Sequence, residues 1–271
     1  MREIICFDHV SYAYEKGRDA LSDVSVSIHK GEKVAVLGNN GAGKSTFFLL
    51  ANGVLCPQKG TVFFSGFAVG KREKELNRLR RGVGLVFQDP DEQLLAGTVE
   101  EEISFGPMNL LLEEADVRRR VDESIVILQL ESLRDRAPQY LSGGEKKRVS
   151  IADVLAMEPE MMLLDEPTSS LDPANTKRLE QTLNMLNEKG LALVVATHHV
   201  DFAWRWAERV LVFHAGRLVA DASAETVFAD KALLQKCNLE QPILHQVGEA
   251  LGLASLPRTM EEFTAMVKKK Q

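Results

Sequence analysis

Cysteine is scarce in this chain: Cys6, Cys56 and Cys237 are the only three among 271 residues. Odd in number and widely separated, they set up neither a disulfide framework nor a metal-ligand spacing. They are expected to be reduced, buried thiols of a cytosolic protein. No run of about 18 apolar residues occurs, so no membrane-spanning helix is expected. The opening Met-Arg-Glu-Ile-Ile-Cys-Phe-Asp lacks the apolar core of a secretory signal. Basic excess is missing too. The formal charge is −6, whereas proteins that grip nucleic acid carry a basic face, so no nucleic-acid partner is expected. What the chain does have is size and apolar content. Its 45% hydrophobic residues suffice for a substantial core, in one large domain or two small ones.

Residues 38–46 read Gly38, Asn39, Asn40, Gly41, Ala42, Gly43, Lys44, Ser45 and Thr46. The apolar Val34 to Leu37 leads in and Phe47 to Leu50 follows, so this is a glycine-rich turn between a buried strand and a helix. Gly38, Gly41 and Gly43 let the backbone approach an anion closely. Free N–H groups and the positive end of the helix cradle phosphate oxygens. Lys44 supplies a mobile charge for the terminal phosphates, and Ser45 offers a hydroxyl to Mg²⁺. The chain is expected to bind a nucleoside triphosphate.

Two more segments narrow the class. Leu141-Ser142-Gly143-Gly144-Glu145 stands shortly before Met161-Met162-Leu163-Leu164, an apolar strand ending in Asp165-Glu166. Asp165 would sit beside Mg²⁺, and Glu166 would polarise the attacking water. A short signature in this position, behind a phosphate-binding loop, resembles the ATP-binding cassette (ABC) ATPases.

The resemblance implies roles for further residues. Tyr14 matches the aromatic that stacks on adenine, with Tyr12 as the competing candidate. Gln88, in Val86-Phe87-Gln88-Asp89-Pro90, matches the residue whose amide reaches Mg²⁺ and the attacking water. Ser169-Ser170-Leu171-Asp172 matches the loop that crosses between subunits, and His198, after Leu193 to Thr197, matches the histidine that contacts the γ-phosphate. Glu145 stands where Gln is commoner, Ser170 where Ala is frequent and His199 where Asp is frequent. None of these departures removes a catalytic group.

The expected fold is α/β: a P-loop, RecA-like ABC ATPase core with an antiparallel β subdomain, a helical signature subdomain and a helical C-terminal extension. The ATPase domain is placed at 1–222, its helical subdomain at about 89–160, and the extension at 223–271. Short apolar segments broken by Glu15-Lys16-Gly17 and Lys30-Gly31-Glu32 read as antiparallel strands over 4–37, and 61–69 as a hairpin. Strands are also expected at 161–165, 192–197, 209–213 and 217–221, with the nucleotide at the carboxyl edge of the sheet. In the extension, Leu239, Ile243, Leu244, Val247 and Leu251 form an apolar stripe that either packs on the core or meets a second copy.

The stretch from Gln88 to Leu94, with Thr98 to Ile103 and Phe105 to Asn109, is similar to the energy-coupling-factor (ECF) ATPases, which energise uptake of vitamins and transition-metal ions. Within them, Trp206 to Val210 and Asn238 to Pro242 look most like the cobalt-transport CbiO type. The likeness covers nearly the whole chain. It implies two cassettes stacked head to tail, where ATP held by Lys44 and Ser45 of one is closed over by Ser142, Gly143 and Gly144 of the other. The implied partners are a second ABC ATPase subunit, either a copy or a paralogue, an integral membrane coupling subunit and a substrate-binding membrane subunit. The implied location is peripheral, on the cytoplasmic face of the cell membrane. The rival is a soluble ABC ATPase without a transport role, and the loop after Gln88 and the extension count against it.

Several features carry blander readings. His198-His199 suggests a chelate, but neighbours in an extended segment point to opposite faces. His9, His29, His214 and His245 are isolated surface or core residues. Lys71 to Arg81 and Arg118-Arg119-Arg120 read as solvated helix faces, Trp204 and Trp206 as packing around the helix after His198, and Lys268-Lys269-Lys270 as a frayed tail.

Overall fold

The computed structural model describes residues 2–15, 17–169 and 171–270, apart from the side chains of Lys269 and Lys270. The readings made at Lys16, at Ser170 and for the side chains of Lys269 and Lys270 fall outside these.

Two long antiparallel strands, β1 (Glu3–Glu15) and β2 (Arg18–His29), lead to β3 (Lys33–Leu37), which opens through the glycine-rich turn into α1 (Lys44–Ala51). The hairpin β4 (Lys59–Phe64) and β5 (Phe67–Val69) returns to the first sheet, giving the order β2-β1-β4-β5. α2 (Glu73–Gly82) is charged along its exposed faces and anchored by buried Leu79. It feeds β6 (Val83–Val86), a short strand absent from the sequence reading. Three helices follow: α3 (Val99–Asn109), α4 (Glu114–Ile127) and α5 (Gly143–Leu155). The chain then alternates through β7 (Met161–Asp165), α6 (Pro173–Glu188), β8 (Ala192–Thr197), α7 (Val200–Trp206), β9 (Arg209–His214) and β10 (Arg217–Ser223). It ends in α8 (Ala224–Ala229), α9 (Lys231–Lys236), α10 (Ile243–Ala250) and α11 (Met260–Lys270).

The second sheet has the order β10-β9-β3-β8-β7-β6. β9, β3, β8, β7 and β6 are parallel, and β10 is an antiparallel edge. The register is nearly level: Leu37 faces Thr197, Asp165 faces Ala196 and Val86 faces Leu164. Four adjacent strands therefore finish on one edge, where an open parallel sheet places its ligand.

Alternation along the strands divides the core in two. Val34, Val36, Leu163, Val194 and Phe213 point toward the antiparallel sheet and meet Phe7, Phe47 and Phe48. Ala35, Leu37, Met162, Leu164 and Val195 point the other way, toward Val149, Leu183 and Trp204. Each large apolar side chain so buried contributes about 1.5–3 kcal/mol. Both faces of the sheet are thereby packed.

Four expectations change. Cys237 is buried, but Cys6 and Cys56 are only half-buried, and all three are free. Arg120 is turned inward, donating to the Met157 carbonyl at 3.2 Å and pairing with Glu158 at 2.9 Å, which fastens α4 to the end of α5. The apolar stripe of the extension is split: Leu239 packs on the core, whereas Ile243 and Leu251 are 64% and 51% exposed. α10 instead buries His245 and Gly248. The reason is a close approach. A Cβ on Gly248 would lie 2.8 Å from Leu256, and the His245 ring meets Trp204 edge-on at 5.0 Å, so a small residue and a flat ring fit where an aliphatic row would not. The fourth change concerns His199, beside the strand edge.

Candidate nucleotide site

The turn after β3 needs glycine at two points, for conformation as well as for space. Gly38 has φ 152° and Gly43 has φ 112°; added Cβ atoms would lie 2.5 Å from the Phe213 carbonyl and 2.8 Å from the Ala20 carbonyl. Both the backbone conformation and the contact exclude a side chain. The loop they shape presents Asn39, Asn40, Gly41, Ala42, Gly43, Lys44, Ser45 and Thr46 to one pocket. Gly38 lies behind it and supplies a carbonyl.

That carbonyl accepts from the Lys44 ammonium at 2.6 Å, with the Asn39 carbonyl at 3.4 Å. Burial lowers the pKa of Lys44, opposed by the charges of Glu166 and Asp165. The side chain is thus buried on neutral acceptors, beside a loop shaped for anions. A phosphate would be a better partner than either carbonyl.

Ser45 donates its hydroxyl to Asp165 Oδ2 at 2.8 Å. Burial pushes the Asp165 pKa up against that hydrogen bond. A hydroxyl, a carboxylate in want of a counter-charge and the Gln88 amide converge on the same pocket. These hard oxygen donors fit Mg²⁺. Among the described residues no cluster of three or more His, Cys, Asp or Glu could hold a metal ion alone. The set therefore fits a cation that shares its coordination with substrate phosphates.

Glu166, one residue past β7, is buried and has φ 44°, a conformation uncommon for a side chain of this size. Its Oε1 lies 2.9 Å from His198 Nδ1, and Oε2 is buried without a hydrogen-bond partner among the described residues. That oxygen is an orphaned acceptor, buried rather than open to the pocket. His198 follows β8 and lines the pocket. His199 does not point away as expected: the two rings lie 4.1 Å apart, tilted by 36°. The strand ends at Thr197, whose Oγ1 accepts the His199 N–H at 3.1 Å, and His199 stands at the N-cap position of α7.

Tyr14 stands at the pocket wall, 60% exposed, with its hydroxyl 3.4 Å from Thr46 Oγ1. Tyr12 meets it edge-on at 5.1 Å but packs on the core. Glu15, Arg18, Asp19 and Ala20 line the pocket as well and escaped the sequence reading. The available signal was the hairpin: Glu15 pairs with Arg18 and Ala13 with Asp19, so β2 begins wherever Tyr14 lies.

The remaining candidates stand outside this pocket. Ser142 is the N-cap of α5, in a capping box with Glu145. Its N–H and hydroxyl donate to Glu145 Oε2 at 2.8 and 2.7 Å, which lowers the Glu145 pKa. Gly143 and Gly144 form the first turn, the positive end of the helix. Gly143 lines a separate groove with Gln88, Asp89, Lys147 and Leu171. Asp172 caps α6 by accepting the Asn175 N–H at 2.9 Å.

The sequence family described as ABC transporter matches residues 21–169. The cobalt import ATP-binding protein CbiO of Rhodobacter capsulatus is 44% identical, over 98% of both chains. The energy-coupling factor transporter ATP-binding protein EcfA2 of Methanospirillum hungatei is 40% identical, over 99% of this chain and 69% of its own length. Among solved structures, cbiO1 from Clostridium perfringens, described as part of the ABC transporter complex cbiONQ, superposes with a TM-score of 0.79 at 36% identity. The match covers 93% of this chain and all of that one. A dimeric ATP-binding cassette in a post-hydrolysis state, bound to ADP and Pi, gives a TM-score of 0.74 at 29% identity over 82% of this chain and 99% of that one.

Proposed function

The chain belongs to the ABC transporter ATP-binding family, and on that premise we propose that it is the ATP-hydrolysing motor of an ECF-type importer that takes up cobalt. The carrying observation is how the landmarks divide. Tyr14, the phosphate loop, Gln88, Asp165, Glu166 and His198 share one pocket, while Ser142, Gly143, Gly144 and Asp172 lie outside it. A site built this way is completed by a second cassette, a copy or a paralogue, stacked head to tail.

Adenine stacks on Tyr14, and the phosphates run along the loop N–H groups to Lys44. Ser45, Asp165 and Gln88 would hold Mg²⁺, which would supply positive charge against the phosphate oxygens. Glu166, held by His198, orients and polarises the water. Ser142, Gly143 and Gly144 from the second cassette close over the γ-phosphate with the free N–H groups and positive end of the α5 start. Catalysis is positioning and electrostatics rather than covalent chemistry.

No helix among the described residues is long and apolar enough to cross a membrane. The likeness to transporter ATP-binding subunits supports a motor that acts on integral membrane partners, a coupling subunit and a substrate-binding subunit, from the cytoplasmic face of the membrane. Exposed Phe105 on α3 lines a groove with Arg80, Arg81 and Asp153, the last bonded to Gln93, that suits such a contact. Cobalt is favoured by the end-to-end match with a cobalt import protein. The relatives named for energy-coupling factor support a second reading, an ECF motor for a vitamin. Labelled cobalt uptake by cells making the chain with its membrane subunits tests the proposal. Cobalt accumulation that stops with Glu166→Gln supports it; accumulation untouched by that substitution overturns it.

A further inference from the structure

The helix that carries the signature also grips the segment that carries Gln88. Lys147 Nζ donates to the Gln88 carbonyl at 2.6 Å and to the Phe87 carbonyl at 3.1 Å. Lys146 Nζ reaches Asp91 Oδ1 at 2.6 Å. Gln93 ties the same segment back. Its Nε2 donates to the Ser150 carbonyl at 2.9 Å and to Asp153 Oδ2 at 3.0 Å, and its Oε1 accepts the Phe87 N–H at 3.3 Å.

Lys147 is the unusual member. It is 2% exposed, and both its acceptors are neutral carbonyls; Asp89 and Asp165 act on it only through space. Burial pushes its pKa down to about 8. An ammonium buried without a carboxylate is costly, and packing alone would be met better by an apolar side chain. What the charge supplies here is two strong donors aimed at consecutive backbone carbonyls. Those carbonyls belong to the two residues that follow β6, the second of which, Gln88, lines the nucleotide pocket.

We propose that Lys147 is a positioning residue that locks the Phe87–Gln88 backbone to α5, so that the Gln88 amide and the Ser142–Gly144 helix start move as one body. Lys147 lies within the second turn of α5, which begins at Gly143, and a helix is stiff over that distance. Gln88 serves the ATP bound by its own chain, whereas Ser142 to Gly144 serve the ATP of the partner cassette. Through Lys147 a single chain links the two sites, and filling one presents the signature correctly to the other. The inference rests on the role proposed for Gln88.

The test is a double-substitution cycle on ATP turnover, with the chain in complex with its membrane subunits. Lys147→Met keeps the stem and removes the donors. It lowers turnover on the order of 10- to 100-fold, while the unfolding temperature and ATP affinity of the cassette stay close to those of the parent. Lys147→Gln, which keeps an N–H donor, recovers part of the loss and replaces the Met variant in the cycle if that variant fails to fold. Because Lys147 acts through Gln88, adding Lys147→Met to Gln88→Ala slows turnover no further. Losses that multiply in the double variant overturn the proposal. Full turnover by Gln88→Ala alone overturns the role of Gln88 first and the proposal with it, a failure visible without any change at Lys147.

Discussion

His198 Nδ1 lies 2.9 Å from Glu166 Oε1, joining the ends of the neighbouring parallel strands β8 and β7. The carboxylate side chain is 7% exposed and the imidazole 56%, so the contact fixes a buried group with one that faces the pocket. Of the two oxygens, Oε1 meets the imidazole and Oε2 is buried without a hydrogen-bond partner among the described residues. His198→Ala therefore frees the carboxylate to rotate. ATP turnover is expected to fall by roughly 10²-fold or more, with ATP affinity nearly unchanged. A large affinity loss in a nucleotide titration would place His198 in binding rather than in orientation.

Tyr14 and Tyr12 separate pocket from core. Tyr14→Ala is expected to weaken ATP binding by about 1–3 kcal/mol, the worth of one base–aromatic stack. Tyr12→Ala removes core packing and lowers the unfolding temperature, with a smaller effect on affinity. The reverse ranking in calorimetric titration would move the stacking role to Tyr12.

The Ser45–Asp165 contact predicts how the metal requirement responds. Asp165→Asn removes the carboxylate but keeps an acceptor for the Ser45 hydroxyl. The Mg²⁺ concentration for half-maximal turnover should rise at least about tenfold, as a charge-assisted contact is roughly twice as strong as a neutral one. An unchanged Mg²⁺ titration would remove Asp165 from the cation site. Chelation of Mg²⁺ should abolish turnover in the parent protein.

His245 predicts a pH effect on stability. It is fully buried, neither ring nitrogen has a hydrogen-bond partner among the described residues, and burial lowers its pKa against the opposing charge of Glu249. The folded pKa is thus below the unfolded one. The neutral ring's stabilising packing is fully present above the unfolded value, about 6.5, and is lost as pH falls through it toward the folded value. His245→Phe keeps a flat ring against Trp204 and should shrink the fall in unfolding temperature between pH 7 and 5. Equal falls in both proteins would contradict this.

The strands that build the site were legible because each is an apolar run ending at a polar residue: Val34 to Leu37 before the loop, Met161 to Leu164 before Asp165-Glu166, Leu193 to Ala196 before Thr197-His198. Parallel pairing then brings those ends together. β6 is four residues of ordinary apolar pattern, too short to carry a period. Arg18 and Asp19 reach the pocket only through strand pairing with β1. Lys147 and Gln93 are polar residues whose partners lie far along the chain, and no local spacing marks them. His245 is a polar residue inside an apolar stripe, so periodicity turned the helix the wrong way. Local patterns reveal elements; contacts between distant segments decide which polar side chains are used.

The central claim is that Glu166 polarises the attacking water in a paired cassette, and ATP turnover of Glu166→Gln in the intact complex with Mg²⁺ tests it most directly. The amide keeps the shape and the contact with His198 but cannot act as a base. Turnover should fall by ~10²–10⁴-fold, while ATP still binds and the two cassettes accumulate closed. Lys44→Ala, measured alongside, should instead lose nucleotide affinity and never close. Near-parental hydrolysis by Glu166→Gln in that complex would contradict the account.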